Sequence, residues 1–222
     1  MSQDLWTAVD KYIGDRFIPR DEVLERALQR SDAAGLPTIS VTPAQGKLLH
    51  LLARSVEARA ILELGTLGAY STIWLARALP ADGRLVTLEI NSAHAAVARA
   101  NIADAGFADV VDLRLGAAGE SLARLVDEEA RPFDFMFLDA DKVSYADYLP
   151  WMLKLARPGT LIVADNIVRA GAVGDAASTD PNVRGVRRFN DLVAKDPRLS
   201  ATVIQTVGRK GYDGFVIAIV NA

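Results

Sequence analysis

From residue 59 onward the chain alternates short, almost unbroken apolar runs with longer stretches of helical spacing, and few folds accept that pattern. The runs are RAILELG, GRLVTLEI, DVVDLRL, FDFMFLD and GTLIVAD; between them lie AYSTIWLARALP, SAHAAVARANIADAG, AGESLARLVDEEA and SYADYLPWMLKLA. A strand that is apolar at successive residues has to be covered on both faces, which is the habit of parallel sheets. The helical stretches are long enough to carry the chain back to the start of the next strand. The expected class is therefore α/β, a doubly wound and mostly parallel sheet with helices on both faces.

Two late runs, SATVIQTV and GFVIAIV, depart from the pattern. Only GRKGYD joins them, too little for a crossover helix, so they are expected to form an antiparallel pair. A loop rich in Gly, Ala and Asp (RAGAVGDAASTDP) and a helical stretch (NVRGVRRFNDLVAKD) precede them. Upstream, LWTAVDKYIGDRF and RDEVLERALQRSDAAG read as helices. TPAQGKLLHLLARSVEA opens a third, with Thr42 as N-cap and Pro43 at the first helical position.

Composition narrows the partners. At 222 residues and 50% hydrophobic, the chain suits one domain with a full core. A net charge of −3 and a pI of about 5.5 argue against nucleic acid, which calls for a basic face. With no cysteine there is no disulfide, thiolate metal site or Cys nucleophile. The first residues, MSQDLWTAVDKYIGDRF, lack the apolar core of a signal peptide, and no run is long enough to span a bilayer. The expectation is a cytoplasmic protein with no membrane partner.

Ligands of an open parallel sheet sit beyond the carboxyl ends of its strands, so those ends carry the chemistry. The first ends in ELGTLGAYS, where glycines allow close backbone approach and a helix N-terminus follows. The second ends in Glu89, an acid able to accept both hydroxyls of a ribose. The spacing is not G-x-G-x-x-G, which favours adenosine without pyrophosphate over a dinucleotide. The fourth ends in Asp139 and Asp141, the fifth in Asp165 and Asn166. Asp139, Asp165 and Asn166 supply hard oxygen donors suited to Mg²⁺, Mn²⁺ or Ca²⁺. The same residues also fit a bland alternative, Asp139 capping the next helix and Asp-Asn forming a turn.

Taken in order, ILELGTLGAYST, LEIN, FMFLDADKVSY and LIVADN resemble the S-adenosylmethionine-dependent O-methyltransferases of the catechol and caffeoyl-CoA type, over about residue 40 to the C-terminus. LDADK paired with ADN is the more specific part. The resemblance implies a Rossmann-like seven-stranded sheet with an antiparallel last strand. It divides residues 1–222 into a helical extension (1–40) and a cofactor-binding and catalytic core (41–222) of one methyltransferase domain. It implies that Glu63, Gly65, Thr66 and Ser71 bind S-adenosylmethionine, that Glu89 holds its ribose, and that Ala118 lies beside its adenine. Asp139 and Asp141 fall near its methionine part, and Val41 makes a backbone contact. Asp139, Asp165 and Asn166 match divalent metal ligands, Mg²⁺ foremost, and Lys142 matches the proposed general base. The implied acceptor is a small vicinal dihydroxyphenyl compound, and the implied assembly a homodimer.

The chemistry explains these residue types. A phenol titrates near pH ~10, and a dication holding both oxygens of a diol stabilises the oxyanion. Lys142 can then take the proton, provided it is neutral, a state favoured by a nearby dication and sulfonium. Two other functions fit part of the pattern: a nicotinamide-dependent oxidoreductase, since Glu89 suits NAD, and a non-catalytic S-adenosylmethionine-binding protein. The glycine spacing counts against the first and the intact Lys142 against the second.

Other residues read more plainly. Tyr145, Tyr148, Trp74, Trp151 and Met152 are expected to pack, and His50 and His94 to lie in helices away from the motif. VDEEARP and VRGVRRF read as solvated faces. Residues 169–182, the N-terminal helices and residues 208–214 are expected to wall the acceptor pocket. Ala170 stands where plant relatives place an asparagine on the substrate. Arg169, Arg209 and Lys210 are candidates for meeting an acid group.

Overall fold

The computed structural model describes residues 2–222. Three helices come first: α1 (Gln3–Phe17), α2 (Glu22–Ala33) and α3 (Pro43–Ser55). Strands and helices then alternate: β1 (Ala60–Leu64), α4 (Tyr70–Ala76), β2 (Arg84–Glu89), α5 (Ser92–Asp104), β3 (Val111–Leu115), α6 (Ala118–Asp127), β4 (Phe133–Leu138), α7 (Tyr145–Lys154) and β5 (Ala156–Asp165). Helix α8 (Pro181–Lys195) precedes β6 (Leu199–Gly208) and β7 (Gly211–Val220).

The seven strands form one sheet in the order β3-β2-β1-β4-β5-β7-β6. The first five are mutually parallel; β7 runs antiparallel to both β5 and β6. The expected Rossmann-like doubly wound sheet with an antiparallel last strand is thus observed. The late hairpin is tighter than expected: β6 and β7 pair as far as Gly208 and Gly211, leaving Arg209 and Lys210 as the turn.

Period-two alternation divides the apolar runs between two cores. Leu62, Leu64, Met136, Leu138, Ile162 and Ala164 face a core closed by α6, α7 and α8. Ile61, Phe135, Phe137, Leu161 and Val163 face the other, closed by α2, α3 and α4. Both faces of β1 and β4 are therefore fully buried, which is why their sequences show no polar alternation. Truncating Phe135 or Phe137 to Ala would cost about 3–5 kcal/mol, as in other close-packed cores.

Local signals set the helix starts. Thr42 accepts from Gln45 N–H, with Pro43 opening α3, and Asp180 accepts from Asn182 N–H, with Pro181 opening α8. At the opposite edge from the candidate site, Asp134 Oδ2 accepts from Arg59 N–H (2.8 Å) and Ala60 N–H (2.9 Å), pinning the start of β1 to β4. Among the described residues, no helix is long and apolar enough to cross a membrane.

Candidate active site

The carboxyl ends of β1, β2, β4 and β5 share one edge of the sheet. At the first, Glu63 is wholly buried, and its carboxylate accepts from Ser71 Oγ (2.6 Å), Thr72 Oγ1 (2.5 Å) and Thr87 Oγ1 (2.7 Å). Burial raises its pKa to about 7, with the charge of Asp139 adding to the rise and the three hydroxyls opposing it. This acid fastens the start of α4 to β1 and β2. Gly65 follows with φ of 96°, and a Cβ there would stand 2.1 Å from the Asp139 carbonyl oxygen. Only glycine lets the ends of β1 and β4 approach so closely.

Glu89, at the end of β2, is oriented by backbone. Leu67 N–H donates to Oε2 and Asn91 N–H to Oε1, each at 2.8 Å. Each oxygen keeps a lone pair for a further donor, the arrangement a vicinal diol requires. His94 Nδ1 lies 3.6 Å from Glu89 Oε1.

Beyond β4, Lys142 sits in a short 3₁₀ turn, Lys142–Ser144, capped by Asp141, whose Oδ2 accepts from Ser144 N–H at 3.2 Å. Lys142 Nζ donates to Asp139 Oδ1 (2.7 Å), Ala140 O (3.0 Å) and Tyr145 Oη (2.8 Å). Tyr145 Oη in turn faces the carbonyls of Leu138 (3.1 Å) and Asp165 (3.2 Å), and burial raises its pKa well above the usual value. Tyr148 donates to Asp141 Oδ1 at 2.5 Å; burial first, then that hydrogen bond, raises its pKa. Helix α8 presses on this turn through Gly185, where a Cβ would meet Lys142 O at 2.3 Å.

Asp165 ends β5. It is buried, and burial followed by the charge of Asp139 raises its pKa to about 6. Asn166 N–H donates to Asp165 Oδ1 at 2.8 Å, with Asn166 at φ of 57°. The next turn is clamped by Asp213, whose Oδ1 accepts from Val168 N–H (3.0 Å), Arg169 N–H (2.9 Å) and Gly214 N–H (2.9 Å).

A cavity of about 570 Å³ joins these ends. Val41, Gly65, Thr66, Ser71, Glu89 and Ala118 line it towards β1–β3. Asp139, Asp141, Lys142 and Asn166 line it at β4 and β5. Asp165 lines an adjoining cavity of about 280 Å³ that shares Asn166 and Lys210. Glu63 does not line either cavity; it lies beneath the loop, where Ser71, Thr72 and Thr87 donate to its carboxylate. Arg209 also stays outside, its backbone N–H donating to Asp10 Oδ2 at 2.7 Å.

Some residues matter more than their sequence positions indicated. His94 was expected away from the motif, yet it lines the cavity beside Glu89. The signal was available: it lies in the first turn of a helix that begins directly after an acid-bearing strand end. Tyr145 and Tyr148 do pack, as expected, but their hydroxyls hold Lys142 and Asp141. The cap expected as an alternative role for Asp139 belongs to Asp141.

A model of the O-methyltransferase family matches residues 18–218. The catechol O-methyltransferase of Niastella koreensis is 51% identical over 221 residues, covering 100% of each chain. The catechol O-methyltransferase of Mycobacterium tuberculosis is 47% identical over 213 residues, covering 96% of this chain and 95% of that one. The crystal structure of the O-methyltransferase from Bacillus cereus in complex with SAH superposes with a TM-score of 0.98 at 54% identity, covering 99% of this chain and 100% of that one. The matched span contains the glycine loop, the acid-bearing ends of β2, β4 and β5 and Lys142, and the chain belongs to the O-methyltransferase family.

Proposed function

We propose that this enzyme moves the methyl group of S-adenosylmethionine to one hydroxyl of a small vicinal dihydroxyphenyl acceptor, with a divalent cation held by Asp139, Asp165 and Asn166. The observation that carries the reading is the meeting, in one cavity, of the diol-ready Glu89 carboxylate and Lys142 beside two strand-end acids. The SAH-bound relative and the two catechol O-methyltransferases support it.

The donor set fits a hard dication. Among the described residues no three His, Cys, Asp or Glu side chains gather as a metal cluster. The candidate set is instead two carboxylates and an amide, all oxygen donors. Among the described residues buried Asp165 forms no ion pair, and Asp139 repels it, an excess of negative charge that a cation would relieve. Such a cation would draw both diol oxygens together and make the hydroxyl more acidic.

The chain's own groups do the rest. Glu89 holds the ribose hydroxyls, and Asp141 pairs with the cofactor's ammonium group. Lys142 receives the proton of the attacking hydroxyl. The oxygen–carbon bond forms as the carbon–sulfur bond breaks, the electron pair stays on sulfur, and S-adenosylhomocysteine leaves. Holding methyl and oxygen in line supplies the proximity contribution. The test is titration of S-adenosylhomocysteine, then transfer to catechols with EDTA and with Mg²⁺. Transfer is expected to stop with EDTA and return with Mg²⁺; metal-independent transfer would overturn the cation's part.

A further inference from the structure

Sheet order separates the two ends of the cavity. Glu89 and Ala118 belong to the β2 and β3 side, and Asp141 and Lys142 to β4. A cofactor stretched between Glu89 and Asp141 covers that half. On the β5–β7 side of Lys142 the wall includes Asn166, Arg169 and Lys210, with Ile39, Ser40 and Asn182 completing it. On the reading proposed above, this is where the acceptor's ring and substituents sit.

Arg169 is unusual there. It lines the cavity but, among the described residues, forms no ion pair, and its Nε is buried with no hydrogen-bond partner there. Its backbone is left-handed, with φ of 55° at Arg169 and 54° at Ala170. The chain holds this unfavourable conformation by the three N–H groups that converge on Asp213 Oδ1. That oxygen, from β7, is occupied by backbone. Strain maintained at a cavity wall is characteristic of ligand-contacting positions.

The charges facing this region are few. Lys142 is paired with Asp139, and Asp165 stands beside Asn166. Lys210 Nζ donates only to the carbonyls of Ile39 (2.9 Å) and Ser40 (2.8 Å). With a cation on the acids and a sulfonium alongside, the region carries net positive charge. A guanidinium whose buried Nε has an unmet donor is a poor neighbour for a neutral or cationic substituent and a good one for a planar anion.

We propose that Arg169 is an acceptor-reading residue, and that the acceptor is an aromatic vicinal diol bearing a carboxylate, which the Arg169 guanidinium holds. The ring then lies between that guanidinium and Lys142, so the carboxylate sets which hydroxyl faces the methyl group.

The test compares 3,4-dihydroxybenzoate, 3,4-dihydroxybenzyl alcohol and dopamine, by calorimetry with S-adenosylhomocysteine and Mg²⁺ present, and by kcat/KM for transfer. The wild-type protein is expected to prefer the carboxylate to the alcohol by about tenfold or more, the effect of a hydrogen bond to a charged group. Arg169→Met should bring that ratio near one, Arg169→Lys should keep part of it, and Arg169→Glu should turn it towards dopamine. A wild-type protein with no carboxylate preference overturns the inference, and needs no variant to fold. So does an Arg169→Met ratio equal to wild type, or a loss confined to S-adenosylhomocysteine affinity, which would assign the guanidinium to the cofactor's carboxylate. Diols that bind with the expected ratio but accept no methyl group would uphold Arg169 and overturn the methyl-transfer reading. Absence of any diol binding overturns both.

Discussion

In its ammonium form Lys142 directs all three N–H donors inward, to Asp139, the Ala140 carbonyl and Tyr145 Oη, and it can act as a base only after one of those protons has left. A lysine so held is positioned before substrate arrives, and Tyr145, accepting from it while facing two carbonyls, sets where it points. Lys142→Met keeps the alkyl stem and removes the proton acceptor. Its transfer rate is expected to fall by about 10²- to 10⁴-fold, with S-adenosylhomocysteine still bound. An undiminished rate would remove the lysine from the reaction. Glu63 acts differently, through protonation. Its folded pKa of about 7 exceeds the ordinary 4.5, so the folded state holds a proton that the unfolded chain releases. That stabilisation is complete below the unfolded value and is lost as pH rises through the folded one. In urea unfolding, the stability of wild type relative to Glu63→Gln should fall by up to about 3 kcal/mol between pH 4.5 and pH 7. A difference that does not vary with pH would show that folding leaves the Glu63 pKa unchanged, and one that rises with pH would show Glu63 ionised in the fold.

At the scale of elements, the strand ends are where sequence spoke most clearly. A strand buried on both faces tolerates polar residues only where it emerges, so Glu89, Asp139 and Asp165 marked the site by position. Glu63 looked equivalent and is not. It lies one residue before the end of β1, and pleat direction points it under the loop rather than into the cavity. The 3₁₀ turn Lys142–Ser144 and the left-handed kink at residues 169–171 were not legible, because segments this short show no periodicity. Contacts such as Tyr148 to Asp141 depend on how those turns fold back. The glycine loop gives a test of element geometry. Gly65→Ala places a Cβ 2.1 Å from Asp139 O in a left-handed backbone, so β1 and β4 must separate at their ends. A loss of about 2–3 kcal/mol is expected, together with weaker S-adenosylhomocysteine binding. Gly119, in α6, has nothing within 4 Å of the corresponding point, and Gly119→Ala is expected to be neutral or to stabilise slightly. Equal melting temperatures for the two variants would refute the close-approach argument.

For the whole molecule, the outstanding question is what covers its first helix. Helix α1 has 15 residues and none is buried. Leu5, Val9, Tyr12 and Phe17 are 47–66% exposed. An isolated helix of this length is marginal in water and draws its stability from packing an apolar face. Its neighbour β6 is the edge strand of the sheet, and Val203, Ile204 and Val207 on it are also exposed. Leu5, Val9 and Tyr12 recur at helical spacing on a different face of α1 from half-buried Trp6, Asp10 and Ile13, and an apolar edge strand runs beside the helix. We propose that a second copy of the chain covers it. One self-complementary surface closes a dimer about a twofold axis, with no further contact needed. Sedimentation equilibrium should then give twice 23.9 kDa. Leu5→Glu together with Val9→Glu should shift the protein to monomer and lower its melting temperature, because the apolar face of α1 loses its cover. A wild-type protein that sediments as a monomer would require α1 to be stable without that packing, and the proposal would be wrong.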